Sequence, residues 1–357
     1  MSSDNSASTA AAAPPNVDPA EAEEVLPKID ANVGFIGLGA MGTPMACNVA
    51  AQLAPGRHLY VYDVNTEVVQ SIVQQENEGP KIVAADCPAA MADTCDIVVS
   101  MVPNDKVLQH VVHDTQTGLL GASKNGFSGI HIGCSTVHPD TSRTMATSHK
   151  YVGAPVFARA DGVAQRAASL VVGGNATLID KVRPVLQAMA KGIYVFGDDD
   201  AGAGNVVKLC GNFMIAAAIE SCAEACSLAA GNGLDRVAVM EMLTSTIFDC
   251  LIYKGYGMRT AHQQHVPGQP LVGPGFQLQL GYKEVTLARS VAAQVQTPMP
   301  LASLLQDRFL ASLAKGRGPL DWSAVALLAS EEAGRDVSAW LPGGDQVVPS
   351  GDSTAPM

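Results

Sequence analysis

A chain of 357 residues suits two domains, and with 47% apolar, 16% charged and 5% aromatic residues it has material for real cores. The net charge of −12 argues against a nucleic-acid binder, which would need a basic face for the phosphates. Eight cysteines without a Cys-x-x-Cys pair read as a reduced, cytoplasmic protein, not a disulfide scaffold.

The first 31 residues are rich in Ser, Ala, Pro and acids and contain no Arg. They read as a disordered tail rather than a secretory signal or a mitochondrial transit peptide. From residue 32 to 200, β-rich runs alternate with helical patterns. Strands are expected at 33–37, 58–63, 81–84, 96–102 and 129–133, with helices at 40–53, 66–76, 86–92, 104–112 and 138–148. Further strands at 169–173 and 192–196 flank a helix at 176–190. Continuous apolar strands alternating with helices predict a doubly wound, Rossmann-type parallel sheet covered on both faces.

After Gly202 the β-pattern stops. Residues 204–231 read as one helix, apolar nearly all round and therefore buried. Helices follow near 235–245, 276–295, 299–315 and 321–333, interrupted by a loop at 255–275. The predicted fold class is α/β: a dinucleotide-binding domain over 32–200, then an all-α C-terminal domain over 201–335 and a tail over 336–357. No stretch reads as apolar enough to span a bilayer, so no membrane partner is expected. His110/His113 and His262/His265 lack a neighbouring third ligand; they read as surface histidines, and no metal is expected.

The first strand runs into Gly37-Leu38-Gly39-Ala40-Met41-Gly42, a G-x-G-x-x-G between a strand and a helix. The first glycine permits the turn, the second lets the backbone approach a pyrophosphate, and the third lets helix pack on strand. The helix N-terminus supplies N–H groups and a positive dipole. Asp63 ends the second strand, where an acid takes ribose hydroxyls and repels a 2′-phosphate; this favours NAD over NADP. The alternative is that Asp63 merely caps the next helix. On the long helix, Lys208 and Asn212 are four apart and share a face. An ammonium on an apolar helix is costly to bury, and desolvation moves its pKa toward the range of a general base.

Residues 34–50, GFIGLGAMGTPMACNVA, resemble the N-terminal signature of the β-hydroxyacid dehydrogenases, which include 3-hydroxyisobutyrate and 6-phosphogluconate dehydrogenases. Met101-Val102-Pro103 and Ser135-Thr136-Val137-His138-Pro139 match further landmarks in order. So do Gly202 through Asn212, against G-x-G-x-x-x-K-x-x-N-N, and Lys283-Glu284 through Ala288, against K-D-x-x-L-A. The resemblance implies hydride transfer between a nicotinamide and a small 3-hydroxy acid or semialdehyde, in a homodimer or homotetramer. It makes Lys208 the acid/base and Asn212 a substrate holder. It sets Val102, Pro103, Thr136 and Lys283 at the cofactor. Two departures stand out. The family's D-A-P-V-S-G-G loop is Gly153-Ala154-Pro155-Val156-Phe157-Ala158-Arg159 here, and the first Asn of its Asn pair is Gly211. Substrate contacts are expected from Ser135, Val156, Phe157 and Arg159. Arg159 reads equally as a carboxylate or phosphate partner or as a solvated loop arginine. Two rival readings are an NADPH-dependent glyoxylate or succinic semialdehyde reductase and a non-catalytic cofactor-binding module.

Overall fold

Short apolar runs make the centre of the sheet because only strands buried on both faces lack polar alternation. The computed structural model describes residues 26–74, 82–121, 126–273 and 275–342. Its strands are β1 (Val33–Ile36), β2 (Leu59–Tyr62), β3 (Ile82–Ala84), β4 (Ile97–Ser100), β5 (Ile130–Gly133), β6 (Tyr151–Gly153), β7 (Val156–Phe157), β8 (Ser169–Gly174) and β9 (Gly192–Asp198). β3-β2-β1-β4-β5-β6 lie side by side and parallel. β1, β4 and β5 are buried along their whole length. Strand order reverses between β1 and β4, which opens a crevice at their C-terminal ends. Helices α1 (Gly42–Gln52) and α7 (Ala176–Met189) cover one face. The other face carries α3 (Pro88–Ala92), α4 (Asp105–His113) and α5 (Pro139–Ser148); α2 (Thr66–Val73) follows β2, and α6 (Ala160–Ala164) follows β7.

The sheet is mixed beyond β6. Gly153 pairs with Gly173, Val156 with Leu170 and Phe157 with Ser169, one continuous antiparallel register against β8. β6 and β7 are thus one extended run, interrupted at Pro155, which has no N–H to give the ladder. Neither strand was expected from the sequence, because Gly-Ala-Pro within so short a run hides the alternation. β9 lies parallel to β8 on its other edge.

The C-terminal helices are α8 (Ala203–Gly231), α9 (Arg236–Thr244), α10 (Met258–His262), α11 (Leu278–Gln294), α12 (Pro300–Ala314) and α13 (Ala326–Glu332). By length and composition α8 does qualify as a possible membrane span, with mean hydropathy 1.5, contrary to the sequence expectation. In this fold it is the spine of the domain. Ala216 and Ile219 share a core with Leu278, Val285, Leu305, Phe309 and Trp322, and Glu220 is ion-paired with Arg308 at 2.6 Å. The expected loop at 255–275 is partly helical: a π-helical turn at Tyr253–Gly257 runs into α10. Tertiary contacts override the glycines, since Arg259 is 1% exposed and pairs with Asp321 at 3.2 Å.

The two domains are pinned together where α8 begins. Asn205, fully buried, accepts from Val137 N–H (3.1 Å) and donates to Ser142 Oγ (2.9 Å). Gly204 lets α8 press on the Val171 carbonyl, where a Cβ would collide. Packing also extends past both expected tail boundaries. Ile29 is buried and exchanges backbone hydrogen bonds with Gln52 and Ala54, and Val337 joins the helical core. Residues 1–25 and 343–357 lie outside the described residues.

His265 corrects the surface reading: it is fully buried, with Nδ1 2.9 Å from Ser323 Oγ. Burial, then the nearby Arg259, pushes it down to about 3. His131, fully buried, bridges Ser100 Oγ (2.8 Å) and His149 Nε2 (3.0 Å). Burial holds His131 well below the usual range and brings His149 from 6.5 to about 4. These imidazoles fold neutral, whereas the unfolded chain binds their protons near the ordinary pKa. Stability therefore falls as pH drops below 6.5, and His149 stops contributing below about 4. Each group adds a slope of up to about 1.4 kcal/mol per pH unit. Urea unfolding between these limits should show His149→Gln with a shallower slope than wild type; an unchanged slope contradicts this account.

Candidate active site

At the end of β1 the chain turns through Gly37, whose φ of +93° favours glycine. A Cβ there would strike the Met101 carbonyl, and one on Gly42 would strike the Gly37 carbonyl. Gly39 differs: a Cβ there would meet nothing within 4 Å. The fold itself explains the outer two glycines, while the middle one borders open space at the N-terminus of α1. Among the described residues, the N–H groups of Ala40, Met41 and Gly42 meet no backbone acceptor. Free donors, a helix dipole and a cleared approach at the sheet's switch point fit a dinucleotide pyrophosphate.

Asp63 is fixed beside this turn. Its Oδ2 accepts from Leu38 N–H (2.6 Å) and its Oδ1 from Asn65 N–H (2.8 Å). Asn65, not Asp63, caps α2, accepting from Glu67 N–H at 3.0 Å. The capping alternative for Asp63 is thereby replaced by a tie between β2 and the glycine turn.

The ends of β4 and β5 form the next wall. Val102 N–H donates to Ser135 Oγ at 2.7 Å, and Ser135 is 2% exposed. The structure therefore uses Ser135 to join two strand ends. Val156, also expected at the substrate, is buried, which leaves only its backbone for such a contact. From α11, Lys283 Nζ donates to the carbonyls of Pro103 (3.2 Å) and Thr136 (3.0 Å) and pairs with Glu284 Oε1 (2.9 Å). Lys283 thus spans from the helical domain to the ends of β4 and β5.

Glu284, 3% exposed, is the residue that sequence reasoning passed over. Its second oxygen accepts from Asn212 Nδ2 at 3.0 Å, so one carboxylate holds both Lys283 and Asn212. The signal was present, since Glu284 stands at the acidic position of K-D-x-x-L-A. Lys208 lies on the same face of α8 as Asn212, half-buried, with its Nζ 4.1 Å from the centre of the Phe157 ring. Burial pushes its pKa down to about 8; the Glu284 carboxylate resists this shift and the Lys283 ammonium adds to it. A lysine so placed carries a proton in some molecules and lacks it in others near neutral pH, as acid/base work requires.

Arg159 stands at the start of α6, its guanidinium 3.8 Å from Asp161 Oδ1 and its side chain 38% exposed. It faces the helical domain: a Cβ on Gly273 would lie 3.0 Å from its Nη2, and its charge acts on the Tyr256 phenol. The Cε1–Cζ edge of Phe157 meets α8, where a Cβ on Gly211 would stand 2.5 Å from Phe157 Cε1. Among the described residues no three His, Cys, Asp or Glu side chains gather as metal ligands.

Known proteins share this fold. Residues 32–197 match the sequence family described as the NAD binding domain of 6-phosphogluconate dehydrogenase. Residues 202–329 match the one described as NAD-binding of NADP-dependent 3-hydroxyisobutyrate dehydrogenase. The uncharacterised oxidoreductase YfjR of Bacillus subtilis is 31% identical over 298 residues, 82% of this chain and 98% of that protein. The 3-hydroxyisobutyrate dehydrogenase of Pseudomonas aeruginosa is 31% identical over 285 residues, 78% of this chain and 91% of that one. The crystal structure of 3-hydroxyisobutyrate dehydrogenase (ygbJ) from Salmonella typhimurium shares the fold, with a TM-score of 0.71 at 24% identity over 84% of this chain and 100% of that one. The glycine turn, the joined ends of β4 and β5 and the lysine-bearing helix, together with these matches, make the chain a member of the β-hydroxyacid dehydrogenase family and an NAD(P)-dependent oxidoreductase.

Proposed function

We propose that this enzyme interconverts a small 3-hydroxy acid and its carbonyl partner, with Lys208 as general acid/base. The observation that carries this reading is Lys208 itself, half-buried on the α8 face it shares with Asn212, with a pKa near 8. In the oxidising direction, neutral Lys208 takes the hydroxyl proton at Nζ as the carbinol carbon loses hydride. In the reducing direction the ammonium returns that proton. The nicotinamide ring, when bound, accepts or supplies the hydride. Asn212, oriented by Glu284, holds the reacting oxygen in this reading. Lys283 closes the site from α11.

The Asp63 carboxylate beside the glycine turn supports NAD over NADP, because a 2′-phosphate there would meet a fixed negative charge. Arg159 supports an acidic substrate, since its guanidinium faces the helical domain and not away from it. Hydroxy acids and semialdehydes screened with each cofactor, following nicotinamide absorbance, test this directly. Arg159→Ala should raise the KM of the acidic substrate about tenfold while leaving cofactor affinity alone. An unchanged KM would remove Arg159 from the substrate's grip.

A further inference from the structure

The two departures from the family pattern meet in space. Phe157 comes from β7, and Lys208 and Gly211 lie three apart on one face of α8. The ring lies against the Gly211 backbone, and a single methyl there would stand 2.5 Å from Cε1. The Lys208 ammonium sits over the same ring, 4.1 Å from its centre. An aromatic face attracts a cation through its quadrupole, and it also restricts where a flexible four-carbon stem can place its nitrogen.

We propose that Phe157 is a positioning residue for Lys208, and that Gly211 is the gap that admits its ring against α8. The inference rests on Lys208 being the acid/base of the proposed reaction. In this arrangement the family's serine and asparagine are replaced as a pair, because a side chain at residue 211 and a ring at residue 157 claim the same space. The charged groups facing Lys208 are Glu284, which favours its protonated form, and Lys283, which disfavours it; both come from α11. The ring adds a further preference for the protonated form. Replacing it with an aliphatic side chain keeps the site dry but removes that preference, so the lysine should deprotonate at lower pH.

The test is competitive labelling of the whole protein with trace acetic anhydride over a pH series. The labelled Lys208 peptide is quantified by mass spectrometry, a readout independent of turnover. Wild type should titrate near 8. Phe157→Leu should titrate up to about one pH unit lower. Gly211→Ala should shift in the same direction although it does not touch the ammonium, because it displaces the ring. The double variant should match Phe157→Leu rather than sum the two shifts. A Phe157→Leu midpoint equal to wild type, or a summed double variant, overturns the proposal. Failure of the catalytic reading appears separately, as normal turnover in Lys208→Ala.

Discussion

Lys208→Ala should fold, bind the nicotinamide cofactor with near-normal affinity and lose at least about a hundredfold in turnover. The separation follows from the architecture. In the proposed reading the pyrophosphate and ribose contacts come from the glycine turn and Asp63, whereas Lys208 belongs to α8 in the other domain. Removing the ammonium leaves those contacts untouched. The variant also removes a costly half-buried charge, so its thermal stability should not fall. Cofactor affinity is read by titrating reduced nicotinamide fluorescence, and turnover by nicotinamide absorbance. Turnover within a factor of a few of wild type would take Lys208 out of the mechanism.

Glu284→Gln should lower kcat by about ten- to a hundredfold, the loss expected when charge-assisted hydrogen bonds are weakened in a buried site. One carboxylate holds Lys283 at 2.9 Å and Asn212 at 3.0 Å, so its loss loosens both side chains, to which the proposed reaction gives site closure and substrate holding. A second consequence concerns Lys208, whose protonated form Glu284 favours. Without that carboxylate the lysine titrates lower, and the acid limb of oxidation should move to lower pH. A purely structural role would reduce stability without moving the limb. Retained kcat together with an unmoved limb would show that Glu284 does not organise the site.

Much of this was legible because backbone geometry forces particular residues. Gly37 and Gly42 are required by a positive φ and by carbonyl contacts, so the G-x-G-x-x-G could be read directly. The central strands announced themselves as apolar runs because both faces are buried. The run from Tyr151 to Phe157 did not, since Pro155 divides it and its partner β8 is antiparallel. His265 looked superficial in a polar loop; only the fold shows Ser323 beside it. Glu284 could be placed by its motif, but its double hold on Lys283 and Asn212 depends on α8 and α11 packing together. Phe157 and Gly211 were each visible as departures. That they touch could not be read from one sequence, because the contact joins a strand to a helix far along the chain.

The most direct measurement is the pH dependence of hydride transfer, followed by nicotinamide absorbance in the oxidising direction with the best substrate from the screen. The rate should rise through a single limb centred near pH 8 in wild type, with the limb absent in Lys208→Ala. A limb that survives in Lys208→Ala, or a rate that does not change with pH in that range, would contradict it.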